Sequence, residues 1–369
     1  MLPSNARKFA QRALVFALTF IAPLGARTSA QTYQFSTVYT FQNNGGPAMP
    51  MAVILGSDGL YGVSYYGGTS ALGTVFSLTP SSGLQVLHSF TGGDGAGPTS
   101  LTSDGRDNLY GSTAEIGYNG TIFELVKSPS GSYTLTTLYS AAFASPQSVT
   151  LDSKGNLLGT DDGDRSCLCV FAIPRGKQWT EIYSTGGQPF YPIGNVVEDA
   201  AGNLYASIED LELEGTGYLV KLPQQQPIFP PFGYAPNSLR IDAAGNIYGL
   251  EYGGLSGGPS DGMVFKVDPA GNVSTLYTFT GGADGGQPSG PFALDAAGNI
   301  FGTATGGTTG NGVIFEITPE GQETVLYNFP VNKGYLYGLV MDGKGNLYGP
   351  TAAGGNADSG TIWKLTKLN

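Results

Sequence analysis

The sequence predicts an all-β protein, a seven-bladed β-propeller built from four-stranded antiparallel blades. Three observations lead to this prediction. A unit of similar sequence recurs seven times along the 369 residues, and periods of this length are typical of propellers and solenoids. Each unit contains four short β-like segments separated by glycine, proline, aspartate or asparagine. The repeat is also cut at different points at the two ends of the chain.

The units align on the aromatic residue of an L-Y-G motif. Its seven positions are Tyr61, Tyr110, Leu158, Tyr205, Tyr248, Phe301 and Tyr348. The fifth unit shows the four segments most clearly, at Leu239–Asp242, Asn246–Leu250, Met263–Val267 and Ser274–Phe279. Each segment alternates or runs apolar for four to six residues, as strands do, and no window keeps a helical period.

A D-x-x-G-N motif joins the first two segments of most units. Its aspartates are Asp152, Asp199, Asp242, Asp295 and Asp342, and Asp104 opens a variant in which Asp107 replaces the glycine. An aspartate can accept the backbone N–H two residues on, and glycine can take positive φ, so the motif predicts a tight turn. We interpret these aspartates as turn formers rather than as a series of metal ligands.

The two ends of the chain predict that the ring is closed by an N-terminal strand. Ser36–Phe41 matches the fourth segment of a unit, and Gly360–Leu365 matches a third segment. The last unit therefore lacks its fourth, outer strand, and the N-terminal segment supplies a strand of this type. We expect Thr37–Phe41 to pair beside Thr361–Leu365, because this pairing covers both open edges.

Residues 1–30 have the layout of a secretory signal peptide. A basic leader containing Arg7, Lys8 and Arg12 precedes the apolar run Ala13–Leu24 and the small residues up to Ala30. We expect cleavage near Ala30, a mature chain formed by residues 31–369 as a single propeller domain, and secretion to an extracellular or periplasmic location. The apolar run is shorter than the roughly 20 residues of a transmembrane helix, so we expect no membrane span in the mature chain.

The charge of the chain argues against nucleic acid as a partner. Removing residues 1–30 removes four basic residues and no acids, so the formal net charge moves from −11 to −15. A protein this acidic repels phosphate backbones, whereas the same charge is compatible with cations and with solubility outside the cell. We expect a monomer whose partner is an extracellular glycan or protein.

The chain also resembles a known family. Gly298–Thr303, the G-V-I-F-E-I-T-P stretch at Gly312–Pro319 and the V-L-Y-N-F stretch at Val325–Phe329 are similar to the GloVer (Gloeo/Verruco-type) tandem repeat of secreted bacterial proteins. The resemblance covers the mature chain and implies export and a propeller-like fold. It implies no catalytic residues. GloVer proteins often carry varied C-terminal anchors, but Leu365–Asn369 contains no hydrophobic tail, so we do not expect this chain to be anchored in that way.

The longer and more varied connections should lie on one face of the ring, which we call the loop face. They are the connections between the second and third strands of a blade, and between successive blades. Variable loops on a rigid scaffold often carry function. Acidic residues are dense in the loops of units three and four, at Asp161, Asp162, Asp164, Glu209, Asp210, Glu212 and Glu214. Carboxylate oxygens suit Ca²⁺, which makes these loops a candidate metal site, the alternative being a solvated acidic rim.

Tyrosines and Glu251 are the candidate ligand-binding residues of the loop face. Tyr65 and Tyr66, Tyr118, and Tyr252 next to Glu251 lie in corresponding loops, where flat rings can stack on a sugar or clasp a peptide. Ordinary exposed tyrosines are the alternative. The G-G-D-G elements at Gly92–Gly95 and, with one insertion, Gly281–Gly285 are predicted to be turns with positive φ.

Few residues offer other chemistry. His88 is the single histidine and stands where sibling units carry tyrosine, so we interpret it as a strand residue; Ser-His-Asp chemistry on the loop face is thereby disfavoured. Cys167 and Cys169 are two residues apart on a predicted strand. A disulfide at this spacing would be strained, so we favour two free thiols, with the disulfide as the alternative.

These observations favour a secreted, non-enzymatic propeller that binds a glycan or a protein through its loop face. The alternative is an extracellular carbohydrate-active enzyme, or a Ca²⁺-dependent hydrolase or lyase, on the same ring. Paired carboxylates can perform acid–base chemistry on sugars, and Glu115, Asp162, Glu209 and Glu251 lie in loops that could converge.

Overall fold

The computed structural model describes twelve segments of the chain and shows strands throughout them. The segments are residues 32–42, 44–114, 117–142, 145–161, 169–176, 178–184, 190–210, 216–223, 236–253, 261–330, 335–355 and 357–368. They contain 27 β-strands, β1–β27 in chain order, and no helix. The predicted signal peptide and the aspartates Asp162 and Asp164 lie outside the described residues.

The strands form seven antiparallel sheets, one for each blade. Blade 1 consists of β2 (Ala48–Leu55), β3 (Leu60–Tyr66), β4 (Thr74–Thr79) and β5 (Gly83–Ser89). Blade 2 consists of β6 (Pro98–Ser103), β7 (Leu109–Thr113), β8 (Asn119–Lys127) and β9 (Tyr133–Ala142). Blade 3 consists of β10 (Pro146–Leu151), β11 (Leu157–Asp161), β12 (Cys169–Ile173) and β13 (Thr180–Ser184). Blade 4 has three described strands, β14 (Phe190–Glu198), β15 (Leu204–Asp210) and β16 (Thr216–Leu222).

Blades 5 to 7 complete the ring. Blade 5 consists of β17 (Ser238–Ile241), β18 (Ile247–Glu251), β19 (Met263–Val267) and β20 (Val273–Thr278). Blade 6 consists of β21 (Gly286–Leu294), β22 (Ile300–Thr305), β23 (Val313–Ile317) and β24 (Glu323–Asn328). Blade 7 consists of β25 (Val340–Met341), β26 (Leu347–Thr351), β27 (Thr361–Leu368) and the N-terminal strand β1 (Thr32–Thr40).

The first strand of each blade lies next to the axis, and these inner strands contact one another in a closed cycle. The cycle runs β2, β6, β10, β14, β17, β21, β25 and back to β2. The N-terminal strand β1 is the outer strand of blade 7, with Thr37 opposite Trp363 and Thr40 opposite Thr361. The prediction of a seven-bladed propeller closed by its N-terminal strand is therefore confirmed.

The D-x-x-G-N motif forms the turn between the first and second strands. The Asp242 carboxylate accepts the N–H of Ala244 at 2.9 Å and that of Asn246 at 2.8 Å, and its second oxygen accepts the Asn246 side chain at 2.7 Å. Gly245 takes a φ of 83°. In the variant turn of blade 2, Asp107 takes a φ of 63° and binds Lys127 at 2.8 Å. The interpretation of these aspartates as turn formers is confirmed.

The glycine of L-Y-G makes room for an aromatic ring of the third strand. A Cβ atom at Gly249 would lie 2.2 Å from the Phe265 ring, and the same pairing occurs in five other blades. In blade 4 the pair is Ala206 opposite Val220. Here alanine replaces the glycine, and the smaller valine replaces the aromatic residue. Among the described residues, buried side chains form seven clusters, one for each interface between blades.

None of the described residues belongs to a helix that could cross a membrane.

Candidate functional site

The inner strands enclose a channel of about 580 Å³ along the axis of the ring. Blades 2 to 5 line it mainly with hydroxyl and amide side chains, and blades 1, 6 and 7 mainly with apolar ones. The lining comprises Met51–Ile54, Thr99–Thr102, Gln147–Thr150, Ile193–Asn195, Asn237, Ser238, Arg240, Gly290, Pro291, Tyr337 and Val340. The channel wall is therefore polar on one side and apolar on the other.

Arg240 is the one charged side chain among the described residues that line this channel. It lies on β17, its exposed surface faces the channel, and its Nε donates to the carbonyl of Phe292 on the next inner strand at 2.9 Å. The protein packed around it removes much of the bulk water, and this desolvation lowers the pKa of the Arg240 guanidinium. Within the described residues no carboxylate forms an ion pair with it.

Three buried carboxyl groups lie at the loop-face ends of the second strands in three consecutive blades. Asp161, Asp210 and Glu251 are the last residues of β11, β15 and β18, with exposures of 2%, 6% and 0%. The N–H of Ser145 donates to Asp161 at 2.9 Å. Burying a carboxylate costs free energy unless other groups compensate for it, so three such residues in one sector of a repeat fold need an explanation.

Blades 1, 2 and 7 carry a pair of hydroxyl residues at the register of Asp161 and Glu251. Ser64 and Thr74 share a buried hydrogen bond of 2.7 Å across β3 and β4, and Thr351 and Thr361 share one of 2.8 Å across β26 and β27. The pair Thr113 and Thr121 does the same in blade 2. Asp161 opposite Cys169, and Glu251 opposite Met263, occupy the matching register in blades 3 and 5. Asp161 and Glu251 therefore stand where these blades carry a hydroxyl pair, whereas Asp210, opposite Thr216, lies two residues beyond the matching register of blade 4.

The predicted metal ligands are divided between described and undescribed residues. Asp161 and Asp210 are buried, and Glu209 precedes Asp210 on β15, whereas Asp162, Asp164, Glu212 and Glu214 lie outside the described segments. Within those segments no group of three or more histidine, cysteine, aspartate or glutamate residues could hold a metal ion. The Ca²⁺ hypothesis therefore depends on the acidic loops beyond the strand ends and stays a prediction.

The predicted ligand-binding tyrosines lie in two parts of the ring. Tyr65 and Tyr66 end β3 in blade 1, with their rings edge to face at 4.8 Å. Tyr118 of blade 2 lies against Gly92 in the preceding connection between blades. Tyr252 follows Glu251 in blade 5 and is 41% exposed. Only Tyr252 is thus next to one of the buried carboxyl groups.

His88 belongs to a structural pair. Its Nε2 lies 2.8 Å from Asp94 of the G-G-D-G element, and Asp94 also accepts the N–H of Thr91 at 2.8 Å. In blade 5 the hydroxyl of Tyr277 donates to Asp284 at 3.0 Å in the corresponding place. Since tyrosine does the same in a sibling blade, the pairing serves the turn.

Cys169 is disulfide-bonded, in contrast to the thiols that the sequence favoured. The second cysteine of the chain, Cys167, lies outside the described residues.

Arg240 was missed by the sequence reasoning, although the repeat contains a signal for it. The inner-strand residues opposite the L-Y-G aromatic form one layer around the axis. They are Ile54, Thr102, Thr150, Val197, Arg240, Ala293 and Val340, and all except Val197 and Ala293 line the channel. Six of the seven are small or apolar. Comparing the units position by position would have singled out the one that carries a charge.

Several solved structures share the fold over almost the whole chain. A putative 6-phosphogluconolactonase from Bacteroides uniformis is 17% identical, with a TM-score of 0.51 over 87% of this chain and 93% of its own. The aldose sugar dehydrogenase of Streptomyces coelicolor, in its PQQ-bound form, is 13% identical, with a TM-score of 0.50 over 91% and 98%. A putative oxidoreductase (glucose dehydrogenase) from Thermus thermophilus is 13% identical, with a TM-score of 0.50 over 90% and 100%.

At these identities the likeness shows a common fold. It nevertheless corrects the expectation of a non-enzymatic binding protein, because the matching structures carry the names of enzymes of sugars and sugar lactones. A propeller of this kind does not by itself indicate a passive binder, since one fold hosts many functions.

No curated protein matches the sequence. The family model of the Gloeobacter/Verrucomicrobia repeat matches residues 26–220 and 230–369, which include strands of all seven blades. The chain therefore belongs to the Gloeobacter/Verrucomicrobia repeat family.

Proposed function

We propose that the protein is an exported enzyme that cleaves a carbohydrate-derived small molecule at its loop face, as a hydrolase or a lyase. The observation that carries the proposal is the set of buried carboxyl groups Asp161, Asp210 and Glu251, each at the loop-face end of the second strand of its blade, in blades 3, 4 and 5. Scaffold residues recur around a repeat fold, whereas these acids occur in one sector, and two of them, Asp161 and Glu251, stand where other blades carry neutral residues. Costly groups confined to one sector are typical of a functional site.

Carboxyl groups on neighbouring blades can divide the work of acid and base. One group, in its acid form, donates a proton to the leaving oxygen while a second, in its carboxylate form, takes a proton from the attacking water or from the substrate. Glu251 and Asp210 are our candidates for this pair, with Asp161 on the far side of blade 4. The exposed ring of Tyr252 would stack on the apolar face of a sugar.

Ca²⁺ is the metal that the acidic loops would hold. Asp161, Glu209 and Asp210 lead into loops that carry further carboxylates in the sequence, and hard cations prefer such oxygen ligands. A bound cation would also relieve the mutual repulsion of these acids. The names of the structural neighbours support sugar-derived substrates, such as lactones and aldoses, as the class to test first.

The experiment is a substrate screen with the mature chain, residues 31–369. The panel contains aldonolactones, aldoses with an artificial electron acceptor, aryl glycosides and uronic-acid oligosaccharides, each with Ca²⁺ or with EDTA. We expect cleavage of a lactone, a glycoside or a uronic-acid oligosaccharide, and loss of that activity in Glu251→Gln but not in Glu320→Gln, whose residue is exposed in a turn of blade 6. Oxidation of an aldose without any cleavage would replace the proposal with a dehydrogenase.

Export is the cellular part of the proposal. It is supported by the basic, apolar and small-residue order of residues 1–30. Mass spectrometry of protein from the culture medium or periplasm should find an N-terminus within a few residues of Gln31. Recovery of the uncleaved chain from the cytosol would contradict export.

A further inference from the structure

We propose that the central channel binds a small hydroxycarboxylate, a molecule of the sugar-acid class, and that the guanidinium of Arg240 holds its carboxylate. This site is separate from the carboxyl groups at the loop-face strand ends. The proposal does not rest on their being catalytic.

The first observation is a cation that has no anionic partner among the described residues. A guanidinium has five N–H donors in a planar fork that fits a carboxylate. Within the described residues, Arg240 uses one of them, Nε, on the Phe292 carbonyl, and neither ion pair of those residues includes it. The remaining donors are available to a ligand in the channel. An incoming carboxylate would make two parallel hydrogen bonds with them.

The second observation is the composition of the wall layer that contains Arg240. The hydroxyl residues Thr102 and Thr150 lie in the same layer on blades 2 and 3, and both line the channel. Among the described residues neither hydroxyl has a hydrogen-bond partner, whereas Ser100, in the strand that carries Thr102, already binds Ser112 at 2.8 Å. Two free hydroxyl groups and one cation in a single layer can bind a ligand that carries hydroxyl groups and a carboxylate.

The third observation is the apolar side of the same channel. Ile54 and Val340 belong to the layer of Arg240, and Met51 and Pro291 line the wall toward the loop face. A polyhydroxylated chain presents C–H groups as well as hydroxyls, so it matches a wall that is polar on one side only. The channel volume of about 580 Å³ falls within the range of roughly 300–1,000 Å³ of small-molecule sites.

The position of Arg240 gives the ligand an orientation. Asn237 and Ser238 lie at the loop-face end of blade 5's inner strand, whereas Arg240 is two residues before the turn aspartate Asp242 on the opposite face. A ligand entering from the loop face would therefore meet the cation at the far end of the channel. Its carboxylate would point away from the loop face and its remaining hydroxyl groups toward it.

The negative net charge of the chain restricts which anions the channel can bind. With a formal charge of −11, the protein repels anions in general, so an anion will enter only where a local cation and hydrogen-bond donors compensate. A neutral sugar would leave the guanidinium without a partner. A simple fatty acid would leave the two threonine hydroxyls without one.

The test is isothermal titration calorimetry of the mature chain with gluconate, at fixed ionic strength. Glucose, which lacks the carboxylate, and hexanoate, which lacks the hydroxyls, are the ligand controls. We expect gluconate to bind and each control to bind at least about tenfold more weakly, which corresponds to the loss of one charged or two neutral hydrogen bonds. Arg240→Gln should lower the gluconate affinity by at least about tenfold.

The matched control is Arg175→Gln, which removes the same charge from an exposed turn of blade 3 and should leave the affinity unchanged. Arg240→Lys keeps the charge without the planar fork and should bind with intermediate affinity, and Thr102→Val should weaken gluconate but not hexanoate. These two variants decide the matter if Arg240→Gln does not fold. The proposal is overturned if gluconate fails to bind, if hexanoate binds equally well, or if Arg240→Lys or a folded Arg240→Gln binds gluconate as tightly as the wild type. Since calorimetry requires no turnover, these outcomes are independent of the proposed enzymatic activity.

Discussion

The aspartates of the D-x-x-G-N turns repeat one hydrogen-bonding arrangement in several blades. Partial burial alone would raise the pKa of Asp242, but hydrogen bonds from Asn246, the backbone and Tyr248 outweigh it and hold the pKa below its usual value. Asp199 and Asp342 show the same balance in their own turns. A depressed pKa means that ionisation favours folding, so this stability is present above pH 4 or so and is lost as the pH falls further.

Glu323 shows the opposite behaviour and gives a prediction at the scale of one residue. Burial, together with the nearby charge of Asp284, raises the pKa of Glu323 to about 7, and its buried Oε1 has no hydrogen-bond partner among the residues that the structure describes. In the unfolded chain the pKa of a glutamate is about 4.3. Between these values the unfolded state is ionised and the folded state is not, so stability is lost as the pH rises from about 4 to about 7 and stays lost above.

Glu323→Gln should therefore raise the melting temperature at pH 8 and leave it nearly unchanged at pH 4. Differential scanning calorimetry at the two pH values measures the difference. Glu320→Gln, an exposed residue in the adjoining turn, is the control and should show no such dependence. An equal gain at both pH values would mean that packing rather than ionisation sets the effect.

At the scale of one element, the strand pair β18–β19 depends on a steric fit. The Phe265 ring occupies the space where a Cβ atom at Gly249 would lie. Blade 4 solves the same problem with Ala206 and Val220. The two solutions are alternatives, and each pair must change together.

This fit predicts a strong coupling between two substitutions. Gly249→Ala should destabilise the protein by about 1–3 kcal/mol through overpacking, and Phe265→Val by about 2–4 kcal/mol through the cavity it leaves. The double variant reproduces the Ala206–Val220 pair of blade 4. Its loss in free energy of unfolding should be clearly smaller than the sum of the losses in the two single variants. Urea denaturation of the four proteins gives the coupling energy. Simple additivity would show that the ring and the glycine do not constrain each other.

At the scale of the whole molecule, the repeat made the fold predictable. Seven copies of one pattern, and the complementary cut at the ends, were enough to predict the blades, the turns and the closing strand. The site was harder to predict because function lies in departures from the repeat. Glu251, Asp161 and Asp210 were noticed as loop acids, but their burial at strand ends depends on register. Arg240 looks ordinary until the inner strands are placed around a common channel.

Ring closure gives a prediction of its own. β1 pairs with β27, and Phe35 of β1 stacks on Tyr327 of blade 6 with ring centroids 3.9 Å apart. Phe41, just after β1, is fully buried. Deleting residues 31–42 should lower the free energy of unfolding by more than about 3 kcal/mol, because two phenyl side chains lose their burial.

Calorimetry of the truncated chain should show the lower stability, and a synthetic peptide of residues 31–42 should restore part of it by pairing in trans. The control is the mature chain that begins at Gln31. A truncated chain as stable as this control would contradict closure by the N-terminal strand.

The central claim is that catalysis is confined to the sector of blades 3 to 5, and substitution at matching strand ends around the ring tests it most directly. The kcat/KM of the best substrate is measured for Asp161→Asn and Glu251→Gln, and for Ser64→Ala and Thr351→Val at the same register in blades 1 and 7. We predict that Glu251→Gln lowers kcat/KM by about 10²–10⁴-fold, the usual contribution of general acid–base catalysis. Asp161→Asn should lower it too, whereas the Ser64 and Thr351 variants should stay close to wild type. Equal losses in all four variants, or full activity in Glu251→Gln, would contradict the claim.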